Sequence, residues 1–143
     1  MIQNAVKVLP DGPYVMSVHR HDYVSFETMF GTRFLDGGND YRRTNLEPWN
    51  RGVSYEDYYL DEESSAEEVM EKLLWGTRGK SGTEPLRYLP ISSLTPDHIQ
   101  AILDTQLMIS PLYRKVLKDH LALKKAACQA EADKSTDQAS PPA

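Results

Sequence analysis

Hydrophobic residues alternate with polar ones along the first 45 positions, and helical spacing does not appear there. Val6 and Val8 alternate with polar neighbours, and residues 14–18, 23–26 and 32–35 form three further short runs rich in strand-forming side chains. Turn-forming residues separate the runs, notably at 11–13 and 36–40, where glycine, proline and aspartate cluster. The pattern predicts a small antiparallel β meander over residues 1–45.

Helical signals dominate residues 46–130, which we expect to pack on the meander as one domain. Ser65 followed by Glu68 forms a capping box and predicts a helix over 66–74. Thr95-Pro96 and Ser110-Pro111 each place a capping hydroxyl before a proline, which predicts two further helices, the last ending near residue 129. Residues 85–91 predict a short strand or hairpin between the first two helices. The pattern leaves residues 55–60 open between a helical turn and an extended edge.

The last residues, 131–143, are polar and end in Pro-Pro-Ala, which predicts a disordered tail. The expected fold class is therefore α+β, with a β meander followed by about three helices.

Charge and cysteine content narrow the function classes. The 143 residues include 16 Lys and Arg against 21 Asp and Glu, a net charge of -5, so the chain as a whole is not attracted to phosphates or anionic lipid. Cys128 is the single cysteine, which rules out an internal disulfide and a zinc site built from several thiolates. The sequence has no apolar run of the roughly 20 residues a membrane span needs, and we expect neither a signal peptide nor a membrane partner.

A dense polar cluster in the meander suggests one enzymatic hypothesis. On a strand, His19 and His21 would lie on the same side, and with Asp36 and Asp40 they would provide two imidazoles and carboxylates for a divalent metal. Such a site suits a metal-dependent hydrolase or nuclease. The favoured alternative is structural: His21 and Asp22 hydrogen-bond within their turn, and the two aspartates shape the Gly37-Gly38 bend.

Arginines form a second cluster in the same region, with aromatic residues nearby. Stacking and ion pairing by this set would suit nucleotide or nucleic-acid binding; the set comprises Arg20, Arg33, Arg42 and Arg43 with Tyr23, Tyr41 and Trp49. Internal pairing with Asp36, Asp40 and Glu47 is the favoured alternative. The basic loop at 76–82 lacks the spacing of a phosphate loop and follows a predicted helix, so it predicts a turn and not nucleotide hydrolysis.

Two segments of the meander resemble a known protein family. Residues 17–24, Ser-Val-His-Arg-His-Asp-Tyr-Val, and residues 36–43, Asp-Gly-Gly-Asn-Asp-Tyr-Arg-Arg, are similar to motifs of small uncharacterised proteins found mostly in bacteriophages. Those proteins carry S-x-x-R-H-D-F-V and D-G-G-x-D-Y-x-R beside two pairs of cysteines that resemble a small zinc ribbon. The resemblance covers about residues 8 to 43 and implies a bacteriophage origin and a ribbon-like fold.

The chain departs from that family at the cysteines. Their positions fall near Val8, Asp11, Phe26 and Phe30, none of which is a thiol ligand. The resemblance therefore implies a degenerate ribbon without bound metal, and we expect Val8, Phe26 and Phe30 to fill the corresponding space with an apolar cluster.

These observations favour a non-enzymatic bacteriophage accessory protein that binds a host protein in the cytoplasm of the infected cell, without a cofactor or metal. Nucleic acid is a disfavoured partner, and homo-oligomerisation stays open. The expected interaction residues lie in the polar cluster and the aromatic stretch that follows it: Arg20, His21, Asp22, Asp36, Asp40, Tyr41, Arg42, Arg43, Trp49, Tyr55, Tyr58 and Tyr59.

Overall fold

A computed structural model describes residues 1–79 and 81–139. The α+β class is confirmed, because antiparallel strands precede the helices and a hairpin lies between the first two helices. The strands are β1 (Asn4–Val8), β2 (Tyr14–Ser17), β3 (Val24–Thr28), β4 (Gly31–Asp36), β5 (Arg43–Thr44), β6 (Tyr55–Asp57), β7 (Leu74–Thr77) and β8 (Arg87–Pro90). The α-helices are α1 (Ala66–Lys72), α2 (Pro96–Thr105) and α3 (Pro111–Ala139).

Met1–Pro90 form one compact unit, and a second unit begins at Ile91. The sequence predicted that a β-rich part ends near residue 45 and that a mainly helical part follows. In the structure, β6, β7 and β8 also belong to the first unit. β8 lies within the strand predicted over residues 85–91. β6 pairs with distant β1 and β7 follows α1 directly, so local periodicity indicated neither of these two strands.

The first unit contains two antiparallel sheets. The larger has the order β6-β1-β2-β8-β7, and the smaller has the order β3-β4-β5. Strand alternation turns Val6, Val8 and Val15 of the larger sheet to one side, where they share a buried cluster with Phe26 and Leu35 of the smaller sheet. Burial of these apolar side chains joins the two sheets.

The other side of the larger sheet carries a different cluster. Ala5 and Leu74 are fully buried there with Tyr58, and partly buried Tyr14 and Tyr88 pack against them. In α1, Val69 is buried, and Leu73 just after the helix is fully buried. The two faces of the larger sheet therefore differ. One packs against the smaller sheet, and the other is rich in tyrosine.

In the second unit, α2 and α3 begin where the sequence predicted. The Thr95 hydroxyl accepts a hydrogen bond from the His98 N–H at 3.2 Å, and Pro96 opens the helix. Among the residues whose burial the structure describes, the buried apolar side chains of this unit are Ile91, Leu94, Ile99, Ile102, Val116, Leu117 and Leu121.

α3 extends to Ala139, past its predicted end near residue 129. The Ala-, Lys- and Gln-rich segment that follows Leu123 has high helix propensity, which the prediction of a disordered tail underweighted. Residues 140–143 of that predicted tail lie outside the described residues, as does Lys80 of the predicted basic loop. None of the helices in the described ranges is both long enough and apolar enough to cross a bilayer.

Candidate interaction surface

Two turns that the sequence analysis singled out lie against each other in the first unit. The Ser17 hydroxyl donates to the Asp22 carbonyl at 2.6 Å and accepts from the Gly38 N–H at 2.9 Å. Gly38 has a φ of 55°, and a Cβ there would lie 2.3 Å from the His19 carbonyl carbon. Only glycine permits this approach, so the Gly37-Gly38 bend is where the two turns come into close backbone contact.

The polar cluster is held by hydrogen bonds within its turns. The Asp22 carboxylate accepts from the Val18 N–H at 2.8 Å, and the His19 Nδ1 accepts from the His21 N–H at 3.3 Å. The Asp36 carboxylate accepts from the Gly37 N–H at 3.0 Å, as expected for a residue that shapes the bend.

The histidines and aspartates do not assemble into the hypothesised metal site. Asp36 pairs with Arg43 and Asp40 pairs with Arg20, so each carboxylate already has a cationic partner. Among residues 1–79 and 81–139, no group of three or more His, Cys, Asp or Glu is placed to hold a metal ion.

All four arginines of the second cluster form ion pairs. Their shortest nitrogen–oxygen distances are 2.8 Å for Arg43–Asp36, 2.9 Å for Arg42–Asp57, 2.8 Å for Arg33–Glu47 and 3.4 Å for Arg20–Asp40. In the Arg42–Asp57 pair, one guanidinium nitrogen donates to both carboxylate oxygens. Proximity in the sequence did not suggest this pair. Each of the four positive charges therefore faces a carboxylate of the same protein.

Glu47 shows the electrostatic consequence of this pairing. Burial disfavours its charged form, but hydrogen bonds from Asn50 and Arg33 outweigh that cost and lower the pKa of the carboxyl. For Arg43, the hydrogen bond to Asp36 raises the guanidinium pKa despite some desolvation.

An aromatic platform lies on the outer side of the smaller sheet. The Tyr23 and Phe34 rings stack with centroids 5.1 Å apart and planes 23° apart. The Arg43 guanidinium carbon lies 5.0 Å from the Phe34 centroid and 5.9 Å from the Tyr23 centroid. Tyr23 is 55% exposed, so a large part of this platform is available to a partner.

Tyr41 is 42% exposed, and its hydroxyl donates to the Arg20 carbonyl at 3.5 Å. We call the set of Tyr23, Phe34 and Arg43 the aromatic face. Phe34 was not among the predicted interaction residues, although strand alternation signals it: Leu35 is buried, so Phe34 must face the opposite side.

Several predicted interaction residues have other positions. Tyr55 and Tyr58 are buried in two different clusters because β6 pairs with β1, and this corrects the expectation that they face a partner. Tyr59 is half-buried beneath Arg42, whose guanidinium carbon lies 5.3 Å from its ring centroid. Asp36 is also buried. Trp49, in the 3-10 helix Pro48–Asn50, is 78% exposed.

Two of the three side chains that were expected to form an apolar cluster do so. Val8 and Phe26 belong to the same buried cluster. Phe30 does not contribute, because it lies at the exposed tip of the β3–β4 hairpin, and Asp11 is exposed as well.

No family model, curated protein or solved structure matches this chain. Its function must therefore be inferred from its own residues and their geometry.

Proposed function

We propose that this chain is a non-enzymatic bacteriophage accessory protein that binds a host protein in the infected cell. The observation that carries the proposal is the aromatic face, where exposed Tyr23 stacks on half-buried Phe34 beneath an arginine whose charge is balanced by Asp36. Aromatic residues and arginine are the side chains most enriched among the energetically dominant residues of protein interfaces. The bacteriophage origin rests on the two motifs at 17–24 and 36–43.

The charge arrangement favours a protein partner over nucleic acid. Binding to a phosphate backbone needs cations that are free to neutralise phosphates. Arg33 and Arg42 are mostly buried in ion pairs, and Arg20 and Arg43 face carboxylates. The metal-dependent alternative has less support, because both aspartates pair with arginines and the described residues include no group of three or more possible metal ligands.

Affinity purification from bacterial lysate, followed by mass spectrometry, tests the proposal. The bait proteins are the wild type, Tyr23→Ser on the aromatic face, and Leu107→Ser as a matched control at an exposed apolar position of the second unit. We expect one protein to be recovered with the wild type and the control. Its affinity for Tyr23→Ser should fall at least tenfold, since exposed aromatic residues at interface centres often contribute about 2 kcal/mol or more.

Circular dichroism should show equal folding of the three baits. Recovery of no specific protein by the wild type contradicts the proposal, and so does equal recovery by Tyr23→Ser. Specific retention of nucleic acid that weakens steeply with salt would support the nucleic-acid alternative instead.

A further inference from the structure

A cleft opens on the tyrosine-rich side of the larger sheet, where the β1–β2 hairpin meets β8. Its volume is about 330 Å³, and the residues around it include Lys7, Asp11, Tyr14, Arg87 and Tyr88. This volume lies at the lower end of the range found for small-molecule sites, about 300–1,000 Å³. The space fits a ligand about the size of one nucleotide and not a peptide.

The aromatic walls of the cleft are held in place from behind. The Tyr14 ring packs edge-on against buried Tyr58, with centroids 5.2 Å apart and planes 85° apart. Tyr88 lies directly opposite Tyr14 in the β2–β8 pair and covers Gly76, where a Cβ would lie 3.3 Å from the Tyr88 ring. Rings fixed in this way offer stacking area at a small entropic cost.

Burial raises the pKa of Tyr88, and the nearby negative charge of Asp22 adds to this effect. Its hydroxyl therefore stays protonated at neutral pH and remains a hydrogen-bond donor.

The charged groups of the cleft differ from those of the arginine cluster. Across the described ranges, neither Lys7 nor Arg87 pairs with a carboxylate within 4.0 Å, whereas Arg20, Arg33, Arg42 and Arg43 all do. The Lys7 ammonium lies over the Tyr14 ring, 5.3 Å from its centroid, which places one cation beside the tyrosine wall of the cleft. Asp11 supplies a hydrogen-bond acceptor in the same cleft.

We propose that this cleft binds a phosphorylated planar ring of the nucleoside monophosphate class. Lys7 and Arg87 hold the phosphate, because both are cationic donors that no carboxylate of the described residues neutralises. The base stacks on the tyrosine wall, and Asp11 accepts hydrogen bonds from the sugar hydroxyls. A ligand with a ring, hydroxyl donors and an anion matches all three groups, whereas free phosphate matches only the cations.

Titration of the ¹⁵N-labelled full chain, followed by NMR, tests this assignment. The probes are adenosine 5′-monophosphate, uridine 5′-monophosphate, adenosine and inorganic phosphate. We expect both monophosphates to shift the amide signals of Asp11, Gly12, Tyr14 and residues 87–89, and to bind at least tenfold more tightly than adenosine or phosphate alone.

Two variants and a control locate the site. Lys7→Met and Arg87→Gln should each weaken monophosphate binding at least fivefold, while Lys118→Met, at an exposed lysine on α3, should leave it unchanged. A dispersed ¹⁵N spectrum shows that each variant is folded. The assignment is overturned when neither monophosphate binds more tightly than inorganic phosphate, when the shifts lie elsewhere, or when both cleft variants bind like the wild type. The aromatic face lies on the other sheet, so loss of this site leaves the proposed host-protein binding untouched.

Discussion

Gln3 is a buried polar residue on which three backbone groups depend. Its amide nitrogen donates to the Tyr58 carbonyl at 2.9 Å and to the Lys72 carbonyl at 2.8 Å. Its side-chain oxygen accepts from the Leu74 N–H at 2.9 Å. The Gln3 side chain thereby holds the end of α1 and the start of β7 next to the residue that precedes β1. The sequence gives no sign of this role, because all three partners lie more than 50 positions away.

Replacement of Gln3 by leucine should destabilise the protein more than its similar size suggests. The substitution leaves buried carbonyl and N–H groups without partners, which costs roughly 2–4 kcal/mol in total. Urea denaturation of Gln3→Leu, measured against Gln106→Leu at the exposed end of α2, checks this. A free energy of unfolding equal to that of the control variant would show that the three hydrogen bonds are not needed.

Glu47 should make stability depend on pH in a definite direction. Its pKa is lower in the folded protein than the ordinary value of 4.5, so its stabilising contribution is present above pH 4.5. That contribution is lost as the pH falls through the lower folded value. The stability difference between wild type and Glu47→Gln should therefore be largest near neutral pH and shrink below pH 4.5.

Urea denaturation between pH 7 and pH 3 measures this difference. Glu63→Gln, at an exposed glutamate outside every ion pair of the described residues, serves as the control and should show no such trend. A constant difference between wild type and Glu47→Gln across the range would contradict the role assigned to the Arg33–Glu47 pair.

At the scale of elements, the sequence identified the helices that begin with a capping side chain and the strands that turn residues separate. Ser65 caps α1 by accepting from the Glu68 N–H at 3.1 Å, and Thr95 caps α2 in the same way. The four strands of the predicted meander also appear, because alternation and turn residues mark each of them.

Distant pairing, in contrast, decided the elements that the sequence left open. β6 is a three-residue edge strand whose conformation comes from its pairing with β1, which explains why residues 55–60 were ambiguous. α1 ends at Lys72 because Leu74–Thr77 pairs with β8, although its apolar spacing allowed a helix to residue 74. The aromatic face likewise depends on a pairing, that of Ser25 with Phe34, which brings Tyr23 beside the Phe34 ring.

The buried cluster that includes Val8 and Phe26 predicts how the protein responds to metal removal. These two side chains lie in an apolar cluster that contains no metal ligand. Burial of such side chains contributes about 1.5–3 kcal/mol each without any ion. Thermal unfolding should therefore be unchanged by EDTA, and elemental analysis should find no stoichiometric zinc. A drop in melting temperature with EDTA that zinc restores would contradict this account.

At the scale of the whole molecule, the two units differ in how much core each contains. Both buried clusters that include β1 are built only from residues before Pro90, and the two sheets share one of them. The second unit buries a short apolar stripe from α2 and α3, and residues 122–132 of α3 are largely exposed. Small units with little buried apolar surface are marginal on their own, because burial must offset the loss of chain entropy.

This difference predicts which part of the chain folds alone. A fragment of residues 1–90 should give a dispersed ¹⁵N spectrum and a cooperative thermal transition, since its clusters and its four arginine ion pairs are complete within it. A fragment of residues 91–143 should show helical circular dichroism that decreases gradually on heating, because two helices with so few buried side chains lack a cooperative core. The comparison needs the full chain under the same conditions as its reference. A collapsed spectrum of fragment 1–90 beside a dispersed one of the full chain would show that the first unit depends on residues after Pro90.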